Sequence, residues 1–118
     1  MSVLVAVPDS PEGRNALAAA AAEAELLATD LVVVNLTLGI LEASQVPGRT
    51  QVTVVDAASD RDPAEVVLEE IEARDVSRLV IGLKRRSPVG KALLGSVSQR
   101  LLLEAPVPVV AVKLPEGR

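Results

Sequence analysis

The sequence predicts an α/β domain on an open, five-stranded parallel sheet with helices on both faces. Three observations predict it. Five short runs rich in β-branched residues recur along the chain, and segments with recognisable helix starts lie between them. The runs are also nearly continuous in apolar character, which suits strands covered on both sides. Alternation of this kind implies right-handed crossovers between parallel strands. At 118 residues the chain reads as a single domain, residues 1–118.

The first strand is residues 3–7 (VLVAV). Ser10-Pro11-Glu12 then supplies an N-cap, a proline at the first helical position and an acid in the first turn. That helix carries Leu17, Ala20, Ala21 and Ala24 at one-face spacing. The second strand is residues 31–36 (LVVVNL). Residues 38–50 contain Gly39, Pro47 and Gly48, and read as a loop with room for one helical turn. Residues 51–56 alternate polar and apolar, as an edge strand does. Asp62-Pro63-Ala64-Glu65 resembles a capping box and opens a helix whose core stripe is Ala64, Val67, Leu68 and Ile71. Residues 79–83 (LVIGL) form the fourth strand, and Ser96-Val97-Ser98-Gln99 starts a helix running through Leu101 and Leu102 to Ala105. The last strand spans residues 107–112, from Val107 to Val112. Its Pro108 cannot donate to a ladder, which makes it the other edge. An apolar edge needs a cover, and the same strand of a second copy would supply one.

Composition narrows the chemistry. The chain has no His, Cys, Phe, Tyr or Trp. The usual zinc, haem and iron–sulfur ligand sets cannot be assembled from it, nor a Ser-His-Asp or Cys-His unit. Base-stacking platforms are missing too. No protein-ligated transition metal is expected, and any site must use backbone amides, hydroxyls, carboxylates, Arg and Lys. The net charge of −4 argues against a general nucleic-acid binder. Yet 4 of the 12 basic residues, Lys84, Arg85, Arg86 and Lys91, fall within residues 84–91, where there is no acid. A cationic loop on an acidic body suits a small anion. No apolar run approaches the ~20 residues that span a bilayer, and the start lacks a basic region ahead of Asp9, so the expected compartment is the cytoplasm.

The informative stretch is residues 81–99, IGLKRRSPVGKALLGSVSQ. It leaves a strand, carries three glycines and four cations, and ends at a helix start, where unpaired N–H groups favour anions. It is not a Walker A loop. Arg85 stands where the first glycine belongs, and Ala92 replaces the hydroxyl that would hold magnesium.

The chain resembles the universal stress protein family over nearly its whole length. VLVAVPDSPEGRNAL is similar to that family's first strand and helix, and PVPVVAVK to its last strand. Gly82, Gly95 and Ser96 match its nucleotide signature of Gly, two residues, Gly, nine residues, Gly, then Ser or Thr. The resemblance implies strand order 3-2-1-4-5, dimers through the last strand and, in many members, an ATP site. There phosphates would meet Gly82, Gly95, Ser96, Val97 and Ser98, aided by Arg85. The adenosine would lie near Pro8, Asp9, Ser10 and the Leu36 backbone, packed between aliphatic side chains such as Val7, Leu36 and Ile81. Three departures stand out. Arg85 occupies the signature's second glycine, Pro8 followed by Asp9 replaces the usual Asp, and residues 38–50 are a short connection.

The expectation is a small, non-catalytic, dimeric protein that binds ATP, AMP or a similar phosphorylated ligand. Slow hydrolysis through Asp9 and a bound metal is the one catalytic route left open. The alternative is a dimeric interaction module of the same family that has lost nucleotide binding. A weaker third reading is an anion-dependent nucleic-acid contact through residues 84–91.

Overall fold

The computed structural model describes residues 1–37, 39–84 and 94–113. In chain order the elements are β1 (Ser2–Val7), α1 (Pro11–Leu27), β2 (Asp30–Asn35), a single 3-10 turn (Ala43–Gln45), β3 (Val52–Asp56), α2 (Pro63–Ala73), β4 (Val76–Gly82), α3 (Ser96–Glu104) and β5 (Val109–Val112). The strands form one parallel sheet in the order β3-β2-β1-β4-β5. The expected strand order holds, both expected edges are edges, and the one helical turn falls inside the short connection.

Alternation along the strands sorts the core into two layers. Val3, Val5, Val7, Leu31, Val33 and Val80 face α1, meeting Ala16, Ala20, Ala21 and Ala24. Leu4, Ala6, Val32, Val34, Leu79 and Ile81 face α2 and α3, meeting Val67, Ile71 and Leu101. Each fully buried Leu, Ile or Val contributes about 1.5–3 kcal/mol relative to an exposed one. The alanine stripe on α1 lets that helix lie close to the sheet, which brings its N-terminus against the ends of β1 and β4. Gly13 and Gly82 mark the two close approaches. A Cβ at Gly13 would overlap the Pro8 carbonyl oxygen, and one at Gly82 the Glu12 carbonyl oxygen.

Several details differ from the sequence reading. β4 begins at Val76, three residues early, because polar Ser77 and Arg78 hide its first turn of pleat. The Arg78 guanidinium pairs with Glu23 of α1 at 3.4 Å, and the ladder to β1 shifts between Ser2 and Val3. β5 begins after Pro108, which has no N–H to give, although its carbonyl still accepts from Leu79 N at 2.9 Å. Asp62 caps α2 by accepting from Ala64 N at 3.0 Å, while Glu65 approaches Arg100 of α3 at 3.7 Å instead of closing a capping box. Val66 joins the buried stripe of α2, because that helix packs against both the sheet and α3.

Candidate functional site

Ligands of open parallel sheets sit beyond the carboxyl ends of the strands, where strand order reverses. Here that point lies between β1 and β4, since the chain builds outward through β2 and β3 on one side and through β5 on the other. The turn after β1 and the start of α3 both reach it, forming a crevice with two lobes that meet at Pro8.

One lobe, of about 320 Å³, is lined by Pro8, Ser10 and Gly82 on one side and by Gly95, Ser96, Val97 and Ser98 on the other. Glu12 and Lys84 complete it. The α3 start differs from the sequence reading, because Gly95 is the cap and Ser96 the first helical residue. Gly95 has no side chain to accept a hydrogen bond, and its φ of −70° is ordinary for any residue. The amides of Ser96, Val97 and Ser98 therefore have no protein acceptor among the described residues, and the first capped ladder bond is Gln99 N to Gly95 O at 2.8 Å. These amides and the helix dipole make this end electropositive. The missing Cβ of Gly95 leaves room for Lys84, whose Cε would sit 3.2 Å from such an atom. Ser98 Oγ donates to Gly82 O at 3.5 Å, tying α3 to the end of β4. Ser10 Oγ is already engaged, accepting from Gly13 N at 3.1 Å as the cap of α1.

The other lobe, also about 320 Å³, runs from Pro8 and Asp9 toward the loop after β2. Val7, Leu17, Ile40 and Leu41 give it aliphatic walls, and Arg14, Thr37, Gly39 and Gln45 give it polar edges. Asp9 lies 3.9 Å from the Arg14 guanidinium, with both side chains largely exposed. Leu36 lines neither lobe. It is half-buried on the α2 face, and its N–H donates to Val7 O at 3.0 Å. Ile81 is buried in the same layer. Arg85 lies outside the described residues, as do Arg86 and Lys91.

Sequence reasoning missed Glu12, Lys84, Arg14 and the residues after β2. Lys84 had a signal in the cationic run. Glu12 reads from sequence only as a first-turn acid, and it enters the lobe because Gly82 lets α1 approach so closely. Among the described residues there is no group of three acidic side chains placed to hold a metal ion.

The model of the universal stress protein family matches residues 39–113. A universal stress protein of Mycolicibacterium smegmatis is 38% identical over 129 aligned positions, covering 98% of this chain and 98% of that protein. This chain belongs to the universal stress protein family. Among solved structures, a universal stress protein from Archaeoglobus fulgidus superposes with a TM-score of 0.74 at 27% identity, covering 96% of this chain and 98% of that one. Another from the same organism, solved in complex with dAMP, superposes at 0.68 with 20% identity, covering 96% and 98%. In this universal stress protein the signature's glycines have different local jobs: Gly82 admits the α1 backbone, and Gly95 leaves the α3 start uncapped and open to Lys84.

Proposed function

We propose that this universal stress protein binds an adenine nucleotide such as ATP or AMP, or a similar phosphorylated ligand, without catalysing its conversion. The phosphates would lie on the amides of Ser96, Val97 and Ser98 beside Gly95, Gly82 and Lys84, aided by Arg85. The nucleoside would extend past Pro8, Asp9 and Ser10 into the aliphatic lobe, toward the end of β2 where Leu36 follows Asn35. The observation that carries this reading is the pairing, at the switch point, of a lobe rimmed by helix-start amides and Lys84 with an aliphatic one. Their sizes suit a mononucleotide-scale ligand. The dAMP complex of the Archaeoglobus fulgidus relative adds support.

The protein would work as a dimer, with β5 of one copy covering β5 of the other. Val109, Val110 and Val112 are only half-buried on that edge, which supports the pairing. We place it in the cytoplasm; no described helix is long and apolar enough to cross a membrane. Nucleic acid is not a proposed partner.

One observation favours the alternative of an interaction module that does not bind nucleotide. Glu12 brings a carboxylate into the lobe meant for phosphate, and Gly82 is used in packing α1. Calorimetric titration with ATP, ADP and AMP separates the two. Saturable binding by the wild-type protein supports the nucleotide reading. Silence at millimolar ligand, in the wild type and in Arg85→Gly alike, retires it in favour of the interaction module. Binding that emerges only in Arg85→Gly assigns the loss to that arginine.

A further inference from the structure

We infer that Asn35 is a positioning residue for the aliphatic lobe: it touches no ligand position itself but sets the loop that selects the nucleoside part. The inference rests on the nucleotide reading above. Asn35 is the last residue of β2, is only 2% exposed, and lines neither lobe. Its amide is fully engaged. Oδ1 accepts from Thr37 N at 3.0 Å and from Thr37 Oγ1 at 2.7 Å, while Nδ2 donates to Gly39 O at 3.1 Å and to Asp56 Oδ1 at 2.8 Å. The orientation is unambiguous: a backbone N–H can only donate, and the Gly39 carbonyl and Asp56 carboxylate can only accept. Thr37 Oγ1 in turn accepts from Gly39 N at 3.1 Å.

One buried side chain thus fixes three things at once. It pins β2 to β3 through Asp56, folds the chain back at Thr37, and holds the Gly39 carbonyl. Thr37, Gly39, Ile40 and Leu41 are lobe-lining residues, so the shape of that lobe follows from the Asn35 bonds. Ile40 is 86% exposed, an aliphatic side chain that covers nothing in the protein itself and stands at the mouth of the lobe. Held there by Gly39, it supplies one face for a flat base in a protein with no aromatic ring. The lobe at the start of α3, on the far side of Pro8, shares none of these bonds.

The test is a charge swap. Asn35→Asp alone sets two carboxylates against each other and can fail to fold. In the double variant Asn35→Asp/Asp56→Asn, the bond between positions 35 and 56 survives with donor and acceptor exchanged. The Thr37 bonds also survive, while the donor to Gly39 O is replaced by a carboxylate oxygen that repels it. The thermal midpoint of the double variant should lie below the wild type, because the charge moves from exposed position 56 to buried position 35, yet above that of Asn35→Asp alone. Protection of the Gly39 and Ile40 amides from hydrogen exchange should fall more than that of the β1 and β4 amides. AMP affinity should drop about three- to tenfold, the effect of one hydrogen bond, with inorganic tripolyphosphate affinity unchanged. Equal losses for AMP and tripolyphosphate would overturn the inference, as would wild-type exchange and wild-type AMP affinity in the swap. If the wild type binds neither compound, the nucleotide reading fails by itself. The exchange data then still decide whether Asn35 sets the loop.

Discussion

The two lobes flanking Pro8 have nearly the same volume but are built by different means. The lobe at α3 is made of backbone: three amides with no acceptor among the described residues, a cap glycine with no side chain, and a strand-end glycine pressed against α1. The lobe after β2 is made of side chains, held by the four hydrogen bonds of Asn35 and walled by Leu17, Ile40 and Leu41. Backbone sites depend on glycine spacing and helix starts, whereas side-chain sites can be built from many residue combinations. Each lobe should therefore fail in its own way.

The sharpest break comes from the two signature glycines. Gly82→Ala drives a Cβ into the Glu12 backbone, which cannot give way as a flexible side chain could. Urea unfolding should show a loss of about 2–3 kcal/mol, in the range of overpacked cores. Gly95→Ala meets only the flexible end of Lys84, at 3.2 Å, and has an ordinary φ. Its stability should stay within about 0.5 kcal/mol of the wild type. Affinity for ATP should nevertheless fall, because the added methyl pushes Lys84 away from the α3 amides. Equal destabilisation by both substitutions would erase the distinction between a packing glycine and a site glycine.

A smaller effect, remote from both lobes, checks that backbone geometry is read correctly. Ala28 ends α1 with φ 54° and ψ 46°, left-handed geometry in which alanine is strained, and it is exposed. Ala28→Gly should raise stability by about 0.5–1 kcal/mol, the relief of strain less the added freedom of the unfolded chain. Ligand affinity should not change.

The smallest effect concerns Arg61 and Glu69. Two hydrogen bonds from Arg61, at 3.0 and 2.6 Å, hold the Glu69 carboxyl below the usual carboxylate range. A depressed carboxylate contributes stability above its unfolded pKa and loses it as pH falls through the folded one. Glu69→Gln should therefore lower the thermal midpoint slightly at neutral pH and not at all well below the carboxylate range. The pair is solvent-exposed, so salt should shrink even the neutral-pH difference.

The same division explains how much could be read from sequence. Strand order came from the family resemblance, and both edges from Pro108 and the alternation of residues 51–56. Gly82, Gly95 and Ser96 were singled out through the family's signature, and the structure brings all three into one lobe. What stayed hidden depends on tertiary approach. Glu12 enters the crevice only because alanines let α1 settle onto the sheet. Asn35 looked like one polar residue in an apolar run, and its partners are Thr37 and Gly39 just after it and Asp56, 21 positions on. Ser77 and Arg78 concealed the start of β4 because the ion pair that holds half-buried Arg78 involves a residue 55 positions away.

The central claim is that a negatively charged group settles on the uncapped start of α3 while its organic part occupies the loop after β2. Titrating AMP into isotopically labelled protein and following backbone amide resonances tests this directly. The account predicts that Ser96, Val97 and Ser98 shift in concert with Gly39, Ile40 and Leu41, along one saturating curve. Unmoved resonances in both groups at millimolar AMP, or saturating shifts confined to some other surface, would contradict it.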